Sequence, residues 1–230
     1  MSKIICLDAG HTPGIDHGAV GNGLQEAVLT GDIVDRIATK LAAYDCTVLR
    51  VPRTDSLTER CNYANSADAD CFVSVHINAG GGTGFESYVY TPAGTEAIAL
   101  QKAIHESCTA YGAQHGIVDR GKKTAAFTVL AKTDMPACLL ELLFIDTAKD
   151  AALLKDEIYL NGIANAIAWG LVVYLGLTLR KKDTTEDAIA KLKEQGVINS
   201  PDYWLENARS GKSCKGEYVA ALMRNMADKL

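Results

Sequence analysis

The chain has 230 residues, with 23 Lys and Arg against 28 Asp and Glu, for a net charge of -5. Hydrophobic residues make up 48% and charged residues 22%, a balance that excludes a disordered chain. The mild acidity, with Arg180-Lys181-Lys182 as the longest basic run, argues against a nucleic-acid partner, and no apolar stretch approaches the roughly 18 residues of a membrane span.

Strand-length apolar runs alternate with segments of helical period. Met-Ser-Lys leads straight into Ile4-Ile5-Cys6-Leu7, which reads as a first strand over residues 3–7 and not as a signal peptide, so synthesis in the cytoplasm is expected. Between Leu24 and Tyr44, Leu29, Ile33, Ile37 and Leu41 recur every fourth residue beside Val34 and Ala38, a helix burying one stripe. A strand over 47–51, a short helix over 57–66 and a strand over 71–77 follow, then a β-forming run over 85–91. Residues 95–111 are helical, with Ile98, Leu100, Ala103 and Ile104 as the inner face. Residues 127–131 and 137–145 read as strands, and 149–174 as one long helix interrupted early. This order predicts an α/β fold with a mostly parallel sheet, whose ligands bind at the carboxyl ends of strands.

The composition turns polar over residues 179–183, which predicts a linker between a domain over 1–178 and a module over 184–230. Three helical signals follow it. Thr184 with an acidic first turn opens one that stops at Gly196, Ser200-Pro201 opens the second, and residues 215–230 carry Val219, Leu222, Met223 and Met226 on one face. Tyr203 and Trp204 read as the core of this module. The seven cysteines are odd in number and show no Cys-x-x-Cys spacing, which suits buried small hydrophobes kept reduced.

Polar residues follow the strand ends. Asp8-Ala9-Gly10-His11 follows the first strand, Glu26 opens the first long helix, and His76 sits near the end of the third strand. His11, Glu26 and His76 make a two-histidine, one-carboxylate set that suits catalytic zinc, which commonly takes three protein ligands. Singly, each has a plainer role as a turn histidine, a first-turn carboxylate favoured by the helix dipole, or a hydrogen-bonded strand-end histidine. Glu141 lies inside Cys138-Leu139-Leu140-Glu141-Leu142-Leu143-Phe144, where a carboxylate is costly unless paired or bound to metal. It is either half of a structural ion pair or placed for reaction. His17 is a competing ligand, His105 and His115 read as solvent-facing, and Asn78 either orients a ligand or holds a turn.

These residues resemble the amidase-3 type of zinc-dependent N-acetylmuramoyl-L-alanine amidases. Ile4–Glu26 is similar to that family's opening strand, Asp-Ala-Gly-His, Gly-rich loop and helix-start Glu. Collinear matches follow at Arg53-Thr54-Asp55 with Leu57 to Arg60, at Ala67 to Ala79, at Arg120-Gly121, at Phe127 to Leu130, and at Pro136 to Asp146. The chain departs from the pattern at Leu143, where the family carries Gly, and at Asp146-Thr147, where it carries Ser-Asn.

The resemblance implies a central, mostly parallel sheet of about six strands with helices on both faces. It implies one zinc ion on His11, Glu26 and His76, with Glu141 as catalytic glutamate. The implied partner is peptidoglycan, cut between N-acetylmuramic acid and L-alanine. The tail resembles modules of clostridial phage amidases and reads as wall-targeting or partner-contacting, which with the absent signal peptide favours a phage or prophage endolysin. Two alternatives stay open: a wall-binding protein without catalysis, and a zinc carboxypeptidase with Arg60 or Arg120 as its carboxylate anchor.

Overall fold

The computed structural model describes residues 2–180, 184–208 and 211–227. In chain order it runs β1 (Lys3–Ala9), β2 (Val20–Gly21), β3 (Leu24–Gln25), α1 (Glu26–Leu41), β4 (Cys46–Arg50), α2 (Leu57–Ser66) and β5 (Cys71–Asn78). Then come β6 (Phe85–Val89), α3 (Thr95–Ala113), β7 (Asp119–Thr124), α4 (Thr128–Ala131), β8 (Ala137–Phe144), α5 (Ala148–Leu154) and α6 (Glu157–Leu175). The last elements are α7 (Thr185–Glu194), α8 (Pro201–Asn207) and α9 (Gly216–Ala227). Two compact units result, Met1–Arg180 and Lys181–Leu230.

The first unit is a six-stranded sheet in the order β4-β1-β5-β8-β6-β7. The strands β4, β1, β5 and β8 are parallel, while β6 runs antiparallel to β8 and carries β7 parallel to itself. From β1 the chain goes out to β4 and returns to β5 on the other side. The carboxyl ends of β1 and β5 thus meet at a topological switch point, where such sheets bind ligands.

Side-chain alternation divides the sheet into unlike faces. Ile5, Leu7, Val73, Val75, Leu140 and Leu142 join the large core formed with α1, α3 and α6. Cys6, Phe72, Ala137 and Leu139 point the other way, into a smaller cluster under α2 and α4. Continuing along that second face by twos, as strand geometry requires, the apolar residues give way to Asp8, Ser74, His76 and Glu141. The chemistry therefore lies on the thinly covered face. The strands read as continuous apolar runs because both faces are covered at their amino ends.

Several elements differ from the sequence expectation. Residues 127–131 form no strand: Phe127 caps the single helical turn α4, whose Val129 and Leu130 enter the smaller core. A short apolar run has no period to distinguish the two states. Strand β7 has the sequence Asp-Arg-Gly-Lys-Lys-Thr and lacks an apolar signal because it is an exposed edge. Ile98 is exposed, since the buried stripe of α3 runs through Leu100, Gln101, Ile104, His105 and Cys108. His105 is buried and not solvent-facing: Ser87 Oγ lies 2.7 Å from its Nδ1 and Asp119 Oδ1 2.9 Å from its Nε2. His115 is half-buried, its ring edge-on to Tyr159. The long C-terminal helix breaks between α5 and α6, where Asp156 caps α6 through Ile158 N. By length and composition α6 could cross a membrane, contrary to the reading of the sequence; it is instead a packed helix with 56% of its apolar window buried.

Six cysteines are buried and free, and Cys214 is half-buried and free. In the second unit, Thr184 and Asp187 form a capping box at the start of α7. Ile189, Val197, Ile198 and Trp204 make a separate small core, with Tyr203 packed against it. Residues 181–183 of the expected linker and 228–230 of the expected last helix lie outside the described residues.

Leu143, where the resembled family carries Gly, has a φ of 66° and is fully buried in the large core. Left-handed backbone costs such a residue about 1–2 kcal/mol, and removing a buried leucine costs about 2–5 kcal/mol. Packing outweighs strain, so Leu143→Gly is expected to lower the unfolding free energy by about 1–3 kcal/mol in denaturant titrations. A variant more stable than the parent would reverse that ranking.

Candidate metal centre

Glu26 is the first residue of α1 and is only 3% exposed. Each of its oxygens meets one histidine and one backbone N–H. His76 Nδ1 stands 3.0 Å from Oε1, which also accepts from Ile77 N at 2.9 Å. His11 Nε2 stands 3.3 Å from Oε2, which also accepts from Ala19 N at 2.8 Å. Burial alone would raise the Glu26 carboxyl, but the contacts with His11 and His76 and the two N–H donors hold it well below the usual range. The same contact raises His11 to about 9, against the opposing effect of burial and with help from Asp16.

One donor atom from each of His11, Glu26 and His76 lies within 4.8 Å of the others. The surrounding backbone is cut to fit this cluster. A Cβ on Gly10 would strike the His76 ring, and one on Gly18 would strike His11 and Glu26. His11 itself has a φ of 62°, strained backbone of the kind that collects at functional sites. Two imidazoles and a carboxylate in a close-built cradle fit a divalent ion of zinc's type.

Asp16 was not distinguished by its sequence position. Its Oδ2 sits 2.6 Å from His11 Nδ1, and its Oδ1 accepts from Gly18 N. A carboxylate on the far nitrogen fixes the tautomer and directs Nε2 at the cluster. His17 is exposed and stands outside the cluster.

The loop carrying His11 is held from beneath by two arginines. Arg60, only 2% exposed, donates to Asp8 Oδ1 (2.8 Å), Ala9 O (2.6 Å), His11 O (2.8 Å), Thr12 Oγ1 (2.9 Å) and Thr54 O (2.7 Å). Ser74 Oγ donates to the other Asp8 oxygen at 2.7 Å. Arg53 adds donors to the carbonyls of Gly10, His11 and Ala27. Arg60 is thus fully occupied by the protein and is not the carboxylate anchor that a carboxypeptidase would need.

Glu141 is the register partner of His76 across β5 and β8. Its Oε2 is buried and without a partner among the described residues. Burial pushes its carboxyl up to about 7. It lines a cleft of about 510 Å³ together with His11, His76, Leu57, Arg60 and Phe127. Asn78 Nδ2 donates to Glu86 Oε1 at 2.8 Å, and its Oδ1 accepts from Ala79 N where the chain leaves β5. The two departures from the family pattern at residues 146 and 147 serve the neighbouring loop, where Asp146 accepts from Gly80 N and Gly81 N and Thr147 donates to Gly82 O. The Ser87–His105–Asp119 chain offers no second hydrolytic centre, because Ser87 is fully buried.

The chain is similar to known proteins over most of its first unit. The family profile described as N-acetylmuramoyl-L-alanine amidase matches residues 5–172. The endolysin of Bacillus phage SPP1 is 40% identical over 217 residues, covering 89% of this chain and 80% of that protein. The sporulation-specific N-acetylmuramoyl-L-alanine amidase of Bacillus subtilis (strain 168) is 44% identical over 176 residues, covering 74% of this chain and 67% of that one. Among solved structures, the N-acetylmuramoyl-L-alanine amidase from Clostridium difficile 630 matches with a TM-score of 0.72 at 28% identity, covering 76% of this chain and 97% of that one. The catalytic domain of CwlV from Bacillus (Paenibacillus) polymyxa var. colistinus matches with a TM-score of 0.70 at 30% identity, covering 76% and 99%.

Two outcomes follow from the buried charges. Arg60→Ala leaves the buried Asp8 carboxylate without its cation, with only the Ser74 hydroxyl as donor, and is expected to cost about 3–5 kcal/mol in denaturant unfolding. A loss under 1 kcal/mol would mean that water replaces the guanidinium. Glu141, with a folded pKa near 7 against 4.5 unfolded, destabilises the metal-free fold once it ionises. That cost is absent below pH 4.5 and complete above pH 7. Metal-free Glu141→Gln is therefore expected to exceed the parent in stability by roughly 2 kcal/mol at pH 8, with the gap closing as pH falls. An equal gap at both extremes would contradict the assigned ionisation.

Proposed function

The chain belongs to the N-acetylmuramoyl-L-alanine amidase family, and from that premise we propose that it hydrolyses its amide with one zinc ion held by His11, Glu26 and His76. It is a cell-wall hydrolase whose substrate is peptidoglycan. The observation that carries the metal reading is the convergence of three donor atoms within 4.8 Å, on a buried carboxylate beside the unpartnered Oε2 of Glu141.

Zinc bound there would polarise the scissile carbonyl and acidify water. The protein's own groups divide the remaining work. Glu26 stays ionised, because its four partners stabilise the anion. Asp16 orients His11. Glu141 accepts the proton of the attacking water and passes it to the leaving nitrogen, for which a pKa near neutrality is well matched. A nearby cation lowers that pKa, so the acid limb of activity falls at or below pH 7.

We read the chain further as a phage or prophage endolysin. The support is the extent of the match to the SPP1 endolysin, since 89% of this chain is more than its first unit contains. Under this reading the protein is made in the cytoplasm and meets the wall on release, and its second unit contacts the wall or a partner.

Digestion of purified peptidoglycan, read by mass spectrometry, is expected to release stem peptides that begin with L-alanine. A chelator should stop the release and zinc should restore it. His11→Ala, Glu26→Ala and His76→Ala should each lose bound metal and activity together. Glu141→Ala should retain metal and lose activity by about 100-fold or more. Shortened stems still joined to sugar, or a fully active Glu141→Ala, would overturn the assignment.

A further inference from the structure

We propose that Arg120 and Lys123, held in place by Glu86, form a subsite for a carboxylate of the stem peptide, on the residue that follows L-alanine. This rests on the amidase reading above.

The placement comes from the sheet. His76, Glu141 and Glu86 are register partners across β5, β8 and β6. Neighbouring strands are about 4.8 Å apart, so Glu86 stands about 10 Å from His76 along this row. Glu86 is only 3% exposed, and all its acceptor positions are filled. Asn78 Nδ2 and Tyr88 OH donate to Oε1 at 2.8 Å each. Arg120 Nε at 2.7 Å and Lys123 Nζ donate to Oε2. The two cations and Tyr88 hold the Glu86 carboxyl down to about 2 against the upward push of burial, so it takes no part in proton transfer.

One anion against two cations leaves one positive charge over. Arg120 and Lys123 are about one-third exposed, at 33% and 37%, so this charge faces solvent. Arg120 spends Nε on Glu86, has Nη1 3.5 Å from Thr83 O, and donates through Nη2 to no described residue. Its guanidinium is further fixed over the Phe144 ring, 4.8 Å from the centroid. A cation pair already oriented by a buried carboxylate loses less freedom on binding than two mobile surface chains.

The spacing selects the ligand. An extended peptide advances about 3.5 Å per residue, so a group on the second stem residue lies about 7 Å beyond the scissile amide. With side-chain reach, that meets the Arg120–Lys123 pair. The second residue of the stem is a glutamate linked through its side chain, and its α-carboxyl is either free or amidated. The subsite recognises the free acid and discriminates against the amide.

The test compares N-acetylmuramoyl-L-alanyl-D-isoglutamate with its isoglutamine counterpart, using the zinc-loaded full chain. The acid is expected to be favoured about tenfold in kcat/KM, mostly through KM, the size of one charge-assisted hydrogen bond partly open to water. In Arg120→Gln/Lys123→Gln the ratio should fall towards one. Lys123→Gln alone keeps Glu86 paired with Arg120 and should lower the ratio part of the way. Equal use of both substrates by the parent would overturn the subsite, as would a preference that survives in the double variant. Cleavage of neither substrate, with the parent folded and zinc bound, would overturn the amidase reading and the subsite with it.

Discussion

The centre depends on one buried carboxylate. Glu26 is the point where the Gly-rich loop, the first turn of α1 and the end of β5 are joined, through Ala19 N, His11, His76 and Ile77 N. A charge buried that deeply is tolerated only with every acceptor position occupied. The need to satisfy it brings both histidines to the same few ångströms, before any ion is considered. Arg60 plays the matching role beneath, binding Asp8 and the carbonyls of the loop from which His11 projects.

The division of the sheet into two faces gives these charges room. Three helices cover one face, and its core is apolar along β1, β5 and β8. The other face is covered by the short helices α2 and α4 over its amino ends. Beyond that cover, the same inward positions become Asp8, Ser74, His76 and Glu141. Packing energy is thereby concentrated on one side and polar chemistry on the other, and neither has to interrupt the other.

Glu141 and Glu86 show how neighbours assign roles. They are opposite one another on adjacent strands and share a face. Glu141 has an oxygen with no donor and is pushed up to about 7 by burial, while Glu86 has four donors and is held at about 2. Two carboxylates in one row are driven apart by the groups they meet, the first towards proton transfer and the second towards anchoring cations. Leu143, two residues on from Glu141, pays for the turn of the chain with left-handed backbone and recovers the cost through full burial.

Much of this was legible in the residues alone. The fourfold spacing of Leu29, Ile33, Ile37 and Leu41, a strand-length run followed by His11 and another carrying His76 near its end, and a glutamate inside Cys138–Phe144 are local patterns, and local backbone geometry is what they report. Glu86 was not legible, because Phe-Glu-Ser-Tyr-Val looks like any half-buried strand until β8 places Glu141 opposite it. Asp16 looked like loop polarity, His105 like a surface residue of its helix, and β7 carried no apolar signal at all. The sequence by itself determined most of the elements, the apolar faces of the long ones and the residue types able to hold a metal. Only the tertiary structure decided which polar groups meet, because strand order and the return of loops over strand ends are non-local, and a carboxylate's charge and role depend on neighbours far away in the chain.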